Sequence, residues 1–156
     1  MLCTAIMNAR PVTLSENVSV GEAAETLMRS GETSLPVIAK GGRFIGMFGT
    51  EECLCLLAPR VALAGRLTPN LRFVEDDEKV LTARFDGTRG RPVQDFVDRN
   101  TAVLRPDSPL SDAFRLLCRN SVPVAVVESR TGVLRGMLSR HMLLNALTGV
   151  AALEQS

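Results

Sequence analysis

A chain of 156 residues, 46% of them apolar and with a net charge of +1, has the length and hydrophobic content to bury a core, which argues against intrinsic disorder. Its 18 basic residues are balanced by 17 acidic ones, with no Trp or Tyr, so a dedicated nucleic-acid binder, which needs a basic stripe or stacking aromatics, is not expected. No stretch approaches the ~20 apolar residues of a membrane span and no signal-peptide core opens the chain, so a cytoplasmic location without membrane attachment is expected.

In chain order, a brief strand is expected at Val12–Leu14. Val20, Ala23, Ala24, Leu27 and Met28 then recur at helical spacing and form one apolar stripe. Ser19 with Glu22 reads as a capping box opening that helix, and Gly31 as its stop. Two short apolar runs, LPVIA from Leu35 and RFIGMF from Arg43, flank Lys40-Gly41-Gly42 and predict a hairpin. A helix from Thr50 to Leu57 follows. Residues 58–92 exceed the usual connection length, and Pro59, Pro69 and Pro92 punctuate them. Within them the acidic run Glu75 to Glu78, ahead of Val80, Leu81, Arg84 and Phe85, predicts one further helix. The pattern then restarts with a strand at Val103–Arg105. A helix follows, with Ser108 as N-cap, Pro109 at the first helical position and a stripe of Leu110, Ala113, Phe114, Leu117 and Cys118. VPVAVV and VLRGML predict a second hairpin around Glu128 to Gly132, and a last helix runs from Arg140 to Leu147.

This restart is an internal repeat. GMFGTEECL begins at Gly46 and GMLSRHMLL at Gly136, and Leu14, Ala23, Leu27 and Arg29 recur at the same interval as Leu104, Ala113, Leu117 and Arg119. A three-residue deletion brings Pro36-Val37 onto Pro123-Val124, and an insertion in the next turn restores the interval. Each copy is β-α-β-β-α. The expected organisation is an α/β (α+β) fold with repeat 1 at 1–57, an insert at 58–92, repeat 2 at 93–150 and a tail at 151–156.

Four scattered cysteines form no C-x-x-C pair and read as buried free thiols in a reducing compartment. Cys53 and Cys55 point about 200° apart on their helix, and His141 is the one histidine, so no metal site is expected. Neither a phosphate-cradling glycine loop nor a nucleophile elbow is present, and no catalytic residue is assigned.

Ile6-Met7 before the first strand, the LPV and VPV strands and the glycine-hydrophobic-hydrophobic opening of each second helix occur twice in one order. In these features the chain resembles a tandem pair of cystathionine β-synthase (CBS) domains, a Bateman module. The resemblance implies two β-α-β-β-α repeats about a pseudo-twofold axis, two clefts that often hold adenine nucleotides, and a disc-like homodimer. In nucleotide-binding members, Thr or Ser follows the glycine and two hydrophobics, and Asp comes three residues later. Here the first copy has Gly49 and Glu52 at those positions, and the second has Ser139 and Met142.

A helix N-terminus attracts anions, and Arg140 and His141 add cations beside Ser139. The candidate ligand-binding set in repeat 2 is therefore Thr101, Val103, Val122, Pro123, Val124, Ser139, Arg140 and His141. The corresponding set in repeat 1 is Thr13, Leu35, Pro36, Val37, Thr50 and Glu52, where Glu51 and Glu52 should repel a phosphate. The expected function is a non-catalytic regulatory module. It requires no cofactor, takes AMP, ADP, ATP or a related adenosyl ligand, and signals to an effector protein in trans. The alternative is a dimerisation or interaction module with vestigial clefts, favoured by the apolar excess in CLCLL and MLLNAL, which a homodimer would bury.

Overall fold

The computed structural model of the chain describes residues 1–57 and 78–149. The first copy comprises β1 (Leu14–Ser15), α1 (Val20–Ser30), β2 (Ser34–Ile38), β3 (Phe44–Gly49) and α2 (Thr50–Leu57). Helix α3 (Glu78–Asp86) precedes the second copy, which comprises β4 (Val103–Leu104), α4 (Leu110–Arg119), β5 (Val124–Val127), β6 (Leu134–Leu138) and α5 (Arg140–Thr148). The expected acidic opening from Glu75 to Asp77 and the tail at 151–156 lie outside the described residues.

Local chemistry sets the helix ends. Ser19 Oγ accepts from the Glu22 amide at 3.2 Å, and Gly31 closes α1 in the left-handed region at φ 72°. Helix α4 starts one residue later than expected. Pro109 is its extended cap, while Ser108 Oγ accepts from the Arg105 amide at 2.9 Å and closes the preceding turn. All four cysteines are free, but Cys3 alone is buried; Cys55 and Cys118 lie on exposed helix faces.

Each copy forms a three-stranded sheet, β1-β2-β3 or β4-β5-β6, whose first pair is parallel and whose hairpin is antiparallel. Its register corrects the expected alignment. Val37 faces Gly46 and Val126 faces Gly136, so Leu35 matches Val124, Pro36 matches Ala125 and Ser34 matches Pro123. The copies thus differ by one residue ahead of this strand, not three. Sliding by two residues to align the prolines keeps every side chain on its face, so alternation alone does not reveal the error.

The copies exchange their leading segments. Cys3, in a 3₁₀ turn at Cys3–Ala5, is fully buried in the second copy's core with Leu104, Leu117, Val126 and Leu138. Val93, in a 3₁₀ turn at Val93–Phe96, is fully buried in the first copy's core with Leu14, Leu27, Val37 and Phe48. Matching main-chain bonds hold the two straps: Cys3 N to Ser108 O at 3.0 Å and Leu110 N to Met1 O at 2.9 Å, against Val93 N to Val18 O at 2.8 Å and Val20 N to Arg91 O at 2.9 Å. Further on, Asn8 pairs with Met137 and Asp98 with Met47. Met47, Ala125 and Met137 close the apolar seam between the sheets.

These crossings account for the glycine that opens both repeated motifs. A Cβ on Gly46 would stand 2.5 Å from Asp98 O, and one on Gly136 would stand 2.7 Å from Asn8 O. Gly46→Ala and Gly136→Ala should each cost about 1–3 kcal/mol, the usual range for overpacking. Gly90→Ala, with nothing within 4 Å of the added carbon, should be nearly neutral. Urea midpoints at unchanged m-value measure the difference.

A candidate ligand cleft between the copies

The strap geometry also builds a cleft. After leaving the second copy's sheet at Asn8, the chain turns as the Arg10 amide donates to Asn8 Oδ1 at 3.0 Å; the same turn recurs where the Asn100 amide donates to Asp98 Oδ1 at 2.9 Å. The first turn and the start of β2 supply Asn8, Arg10, Val12, Ser34, Leu35 and Pro36 as one wall. The second copy supplies Pro123, Met137, Ser139 and Met142 as the other, and Ser30 and Glu32 also line the space. The cleft measures about 110 Å³, smaller than the ~300–1,000 Å³ of preformed small-molecule sites.

Arg10 is the one cation lining the cleft and Glu32 the one carboxylate, and neither side chain has an ion-pair partner among the described residues. Helix α5 starts at this wall with no acidic residue in its first turn. Ser139 Oγ accepts from the Met142 amide at 3.2 Å, while the Arg140 and His141 amides have no acceptor among the described residues. Ser34 is 3% exposed and its hydroxyl has no partner.

The start of α2, at the pseudo-equivalent place, is closed. Glu52 Oε1 accepts from the Gly49 amide at 2.9 Å, and the Thr50 amide donates to Thr33 O at 3.0 Å. Burial pushes the Glu52 carboxyl up, opposed by the Gly49 amide and reinforced by Glu51 and Asp98. The disagreement between the motifs is therefore a divided capping box. Ser139 keeps the hydroxyl half without a carboxylate, and Glu52 keeps the carboxylate half without a hydroxyl. Nor is there room for a hydroxyl at position 49, where a Cβ would lie 2.5 Å from Thr33 O and 2.9 Å from Ser34 Oγ.

Of the residues expected from sequence, Leu35, Pro36, Pro123 and Ser139 meet in this cleft. Arg140 turns away, its Nε donating to Leu117 O at 2.6 Å, so it neutralises the C-terminal end of α4. His141 is exposed. Val37 and Val124 are core residues. Val103 is exposed over a separate depression beside Asp107 and Arg115, and Thr50 and Glu52 belong to the closed α2 tip. Thr13 and Val122 are part-buried outside the cleft, as is Thr101, whose hydroxyl is buried without a partner. The sequence-based sets join strands and helix tip of one copy, whereas the cleft joins strands of the first to the helix tip of the second. Asn8, Arg10, Glu32, Ser34 and Met137 were not anticipated; the recurrence of Asn8 and Arg10 as Asp98 and Asn100 at the repeat interval was their available signal.

The sequence profile of the CBS domain matches residues 3–58 and 93–149. The chain belongs to the CBS domain family. It carries the domain as a tandem pair, and its sheets and helices match CBS-pair structures. The crystal structure of CBS-pair protein CBSX2 from Arabidopsis thaliana aligns with a TM-score of 0.73 at 25% identity, covering 97% of this chain and 96% of that one. A structure of CBSX2 in complex with AMP aligns with a TM-score of 0.69 at 24% identity, covering 96% and 98%. The A-adding tRNA nucleotidyltransferase of Aquifex aeolicus (strain VF5) is 28% identical over 143 residues, which are 91% of this CBS pair but 14% of that protein. Among the described residues, no helix is long and apolar enough to cross a membrane, and no group of three or more His, Cys, Asp or Glu is placed to hold a metal ion.

Because burial raises the Glu52 carboxyl above its ordinary 4.5, the folded CBS pair holds this proton to higher pH than the unfolded chain does. The protonated group favours the fold, and that contribution is lost as pH rises from 4.5 through the folded value. Wild type should therefore lose stability relative to Glu52→Gln across this window, as measured by urea unfolding at stepped pH.

Proposed function

We propose that this CBS pair is a non-catalytic regulatory module of the cytoplasm that takes an adenine nucleotide or related anionic ligand between its repeats and passes the signal to an effector protein in trans. The observation that carries this reading is the half-capped start of α5, with two unpartnered amides beside the one Ser139 caps, sharing a cleft with the unpaired Arg10. Such a helix start favours negative charge, and a guanidinium adds bidentate anion recognition. Val12, which is 49% exposed, and the part-buried Pro123 and Met142 supply the accessible apolar surface for a base. The AMP complex of CBSX2 supports an adenosyl ligand.

The location also supports signalling. A ligand here touches the segment from Asn8 to Val12, which ties the first copy to the second copy's core, and also touches the second copy's last helix. Binding then favours one arrangement of the copies, and a coupling of ~1–3 kcal/mol is ordinary for such linkage. Calorimetric titration with AMP, ADP and ATP tests the site. Arg10→Ala and Ser139→Ala should each weaken binding roughly tenfold. No heat at millimolar ligand, or both variants unchanged, removes the reading.

A second role, homodimerisation, draws on the exposed apolar side chains of the helices. In the first copy, Met28 and Leu54 are 62% and 66% exposed. In the second copy, Phe114, Leu144 and Leu147 are 55%, 58% and 60% exposed. Exposed apolar side chains on the helices of both copies fit a twofold contact. Sedimentation at tens of micromolar should give a dimer that Phe114→Glu disrupts; a monomer at all concentrations would refute the contact.

A further inference from the structure

The repeat interval places Ala24 against Phe114 and Glu25 against Arg115. One turn of helix thus carries a small residue and a carboxylate in α1, and a large ring and a guanidinium in α4. The core side of the two helices is unchanged: Ala23 and Leu27 are buried in α1 as Ala113 and Leu117 are in α4. Phe114 stands 55% exposed. Ala24 lines an open apolar groove of about 360 Å³, with Met28, Cys53 and Leu57 beside it and Leu81 and Phe85 of α3 across from it.

Main-chain acceptors fix both ends of this groove. Arg84 Nη1 donates to Leu57 O at 3.1 Å, tying α3 to the end of α2, and the Gly21 amide donates to Arg89 O at 3.0 Å, tying the segment after α3 to the start of α1. The groove continues past Ala24 and Met28 to Glu25. Glu25 lies 3.9 Å from Arg29, but both side chains are largely in solvent, where such a pair contributes little. Arg115 is exposed and has no ion-pair partner among the described residues.

The geometry points to an antiparallel homodimer, in which Phe114 of each chain enters the groove beside the partner's Ala24 while Arg115 meets the partner's Glu25. A twofold axis then makes the same contact twice and closes the assembly. A parallel pair would set Ala24 against Ala24 and Phe114 against Phe114, leaving the groove unfilled and like charges opposed at the next position. An aromatic anchor seated in an apolar pocket is where interface energy concentrates, and the charge pair selects the register. The inference rests on the homodimer reading above and adds which faces meet and what α3 contributes.

Sedimentation of the full chain measures the energy of the contact. Phe114→Ala, and Ala24→Phe, which fills the groove from within, should each weaken the dimer roughly tenfold or more. Arg115→Glu should weaken it several-fold and the further change Glu25→Arg should restore it, with circular dichroism confirming that each variant folds. Cross-linking reads the arrangement, in a Cys55→Ser/Cys118→Ser chain that lacks the exposed native thiols. With Glu25→Cys and Arg115→Cys added, oxidation should join position 25 of one chain to position 115 of the other, as mapped by peptide mass. A bond between like positions, no bond between chains that sediment as a dimer, or a dimer indifferent to both Phe114→Ala and Ala24→Phe overturns the antiparallel arrangement and leaves homodimerisation standing. If wild type is a monomer at all concentrations, both fall.

Discussion

Two main-chain carbonyls, those of Asp98 and Asn8, run so close over the opposite copy's strand that only a hydrogen fits beneath them at Gly46 and Gly136. That close approach lets each strap add main-chain bonds to a sheet it does not belong to in sequence. The buried Cys3 and Val93 anchor the straps at their far ends. Fully burying a side chain of this size contributes about 1.5–3 kcal/mol, so neither core is complete without a residue from the other repeat. The cleft follows from the same constraint, because its first wall is the strap as it crosses from one core to the other.

Duplication gave both halves the same frame and left their helix starts free to diverge. The first copy closed its tip with Glu52, surrounded by Glu51, Asp98 and the Thr33 carbonyl. The second retained Ser139, which caps one amide and leaves two open. A helix end satisfied by its own side chain has little left to offer a ligand, whereas one satisfied only in part remains an anion acceptor. The asymmetry of the clefts therefore reduces to which half of a capping box each copy kept.

The helices were legible because a stripe such as Val20, Ala23, Leu27 or Leu110, Ala113, Leu117 is a local consequence of burial at 3.6-residue spacing. The duplication was legible for the same reason. What escaped was long-range. Pro36 and Pro123 invited an alignment that strand periodicity cannot reject, since a shift of two preserves every face. Nothing near Cys3 or Val93 states which core it enters. Without the straps, the cleft could not be assembled, so Ser139 was grouped with Val103 and Val122 instead of Arg10 and Ser34. Arg140 looked like a ligand for an anion because its attachment to Leu117 O joins residues far apart in the chain.

Strands β3 and β6 also meet at their ends, where Phe44 N donates to Gly132 O and Leu134 N donates to Gly42 O, both at 2.9 Å. The opposite margins of the two sheets are the two-residue strands β1 and β4. Long open strand margins are templates for sticking to other chains. Here one margin is shortened and the other is partly shielded by the sister repeat. A half-length fragment would lose that shield and the plug for its core together, so its natural fate is aggregation. The gene duplication that produced this protein could persist only while its halves stayed on one polypeptide or found each other as partners.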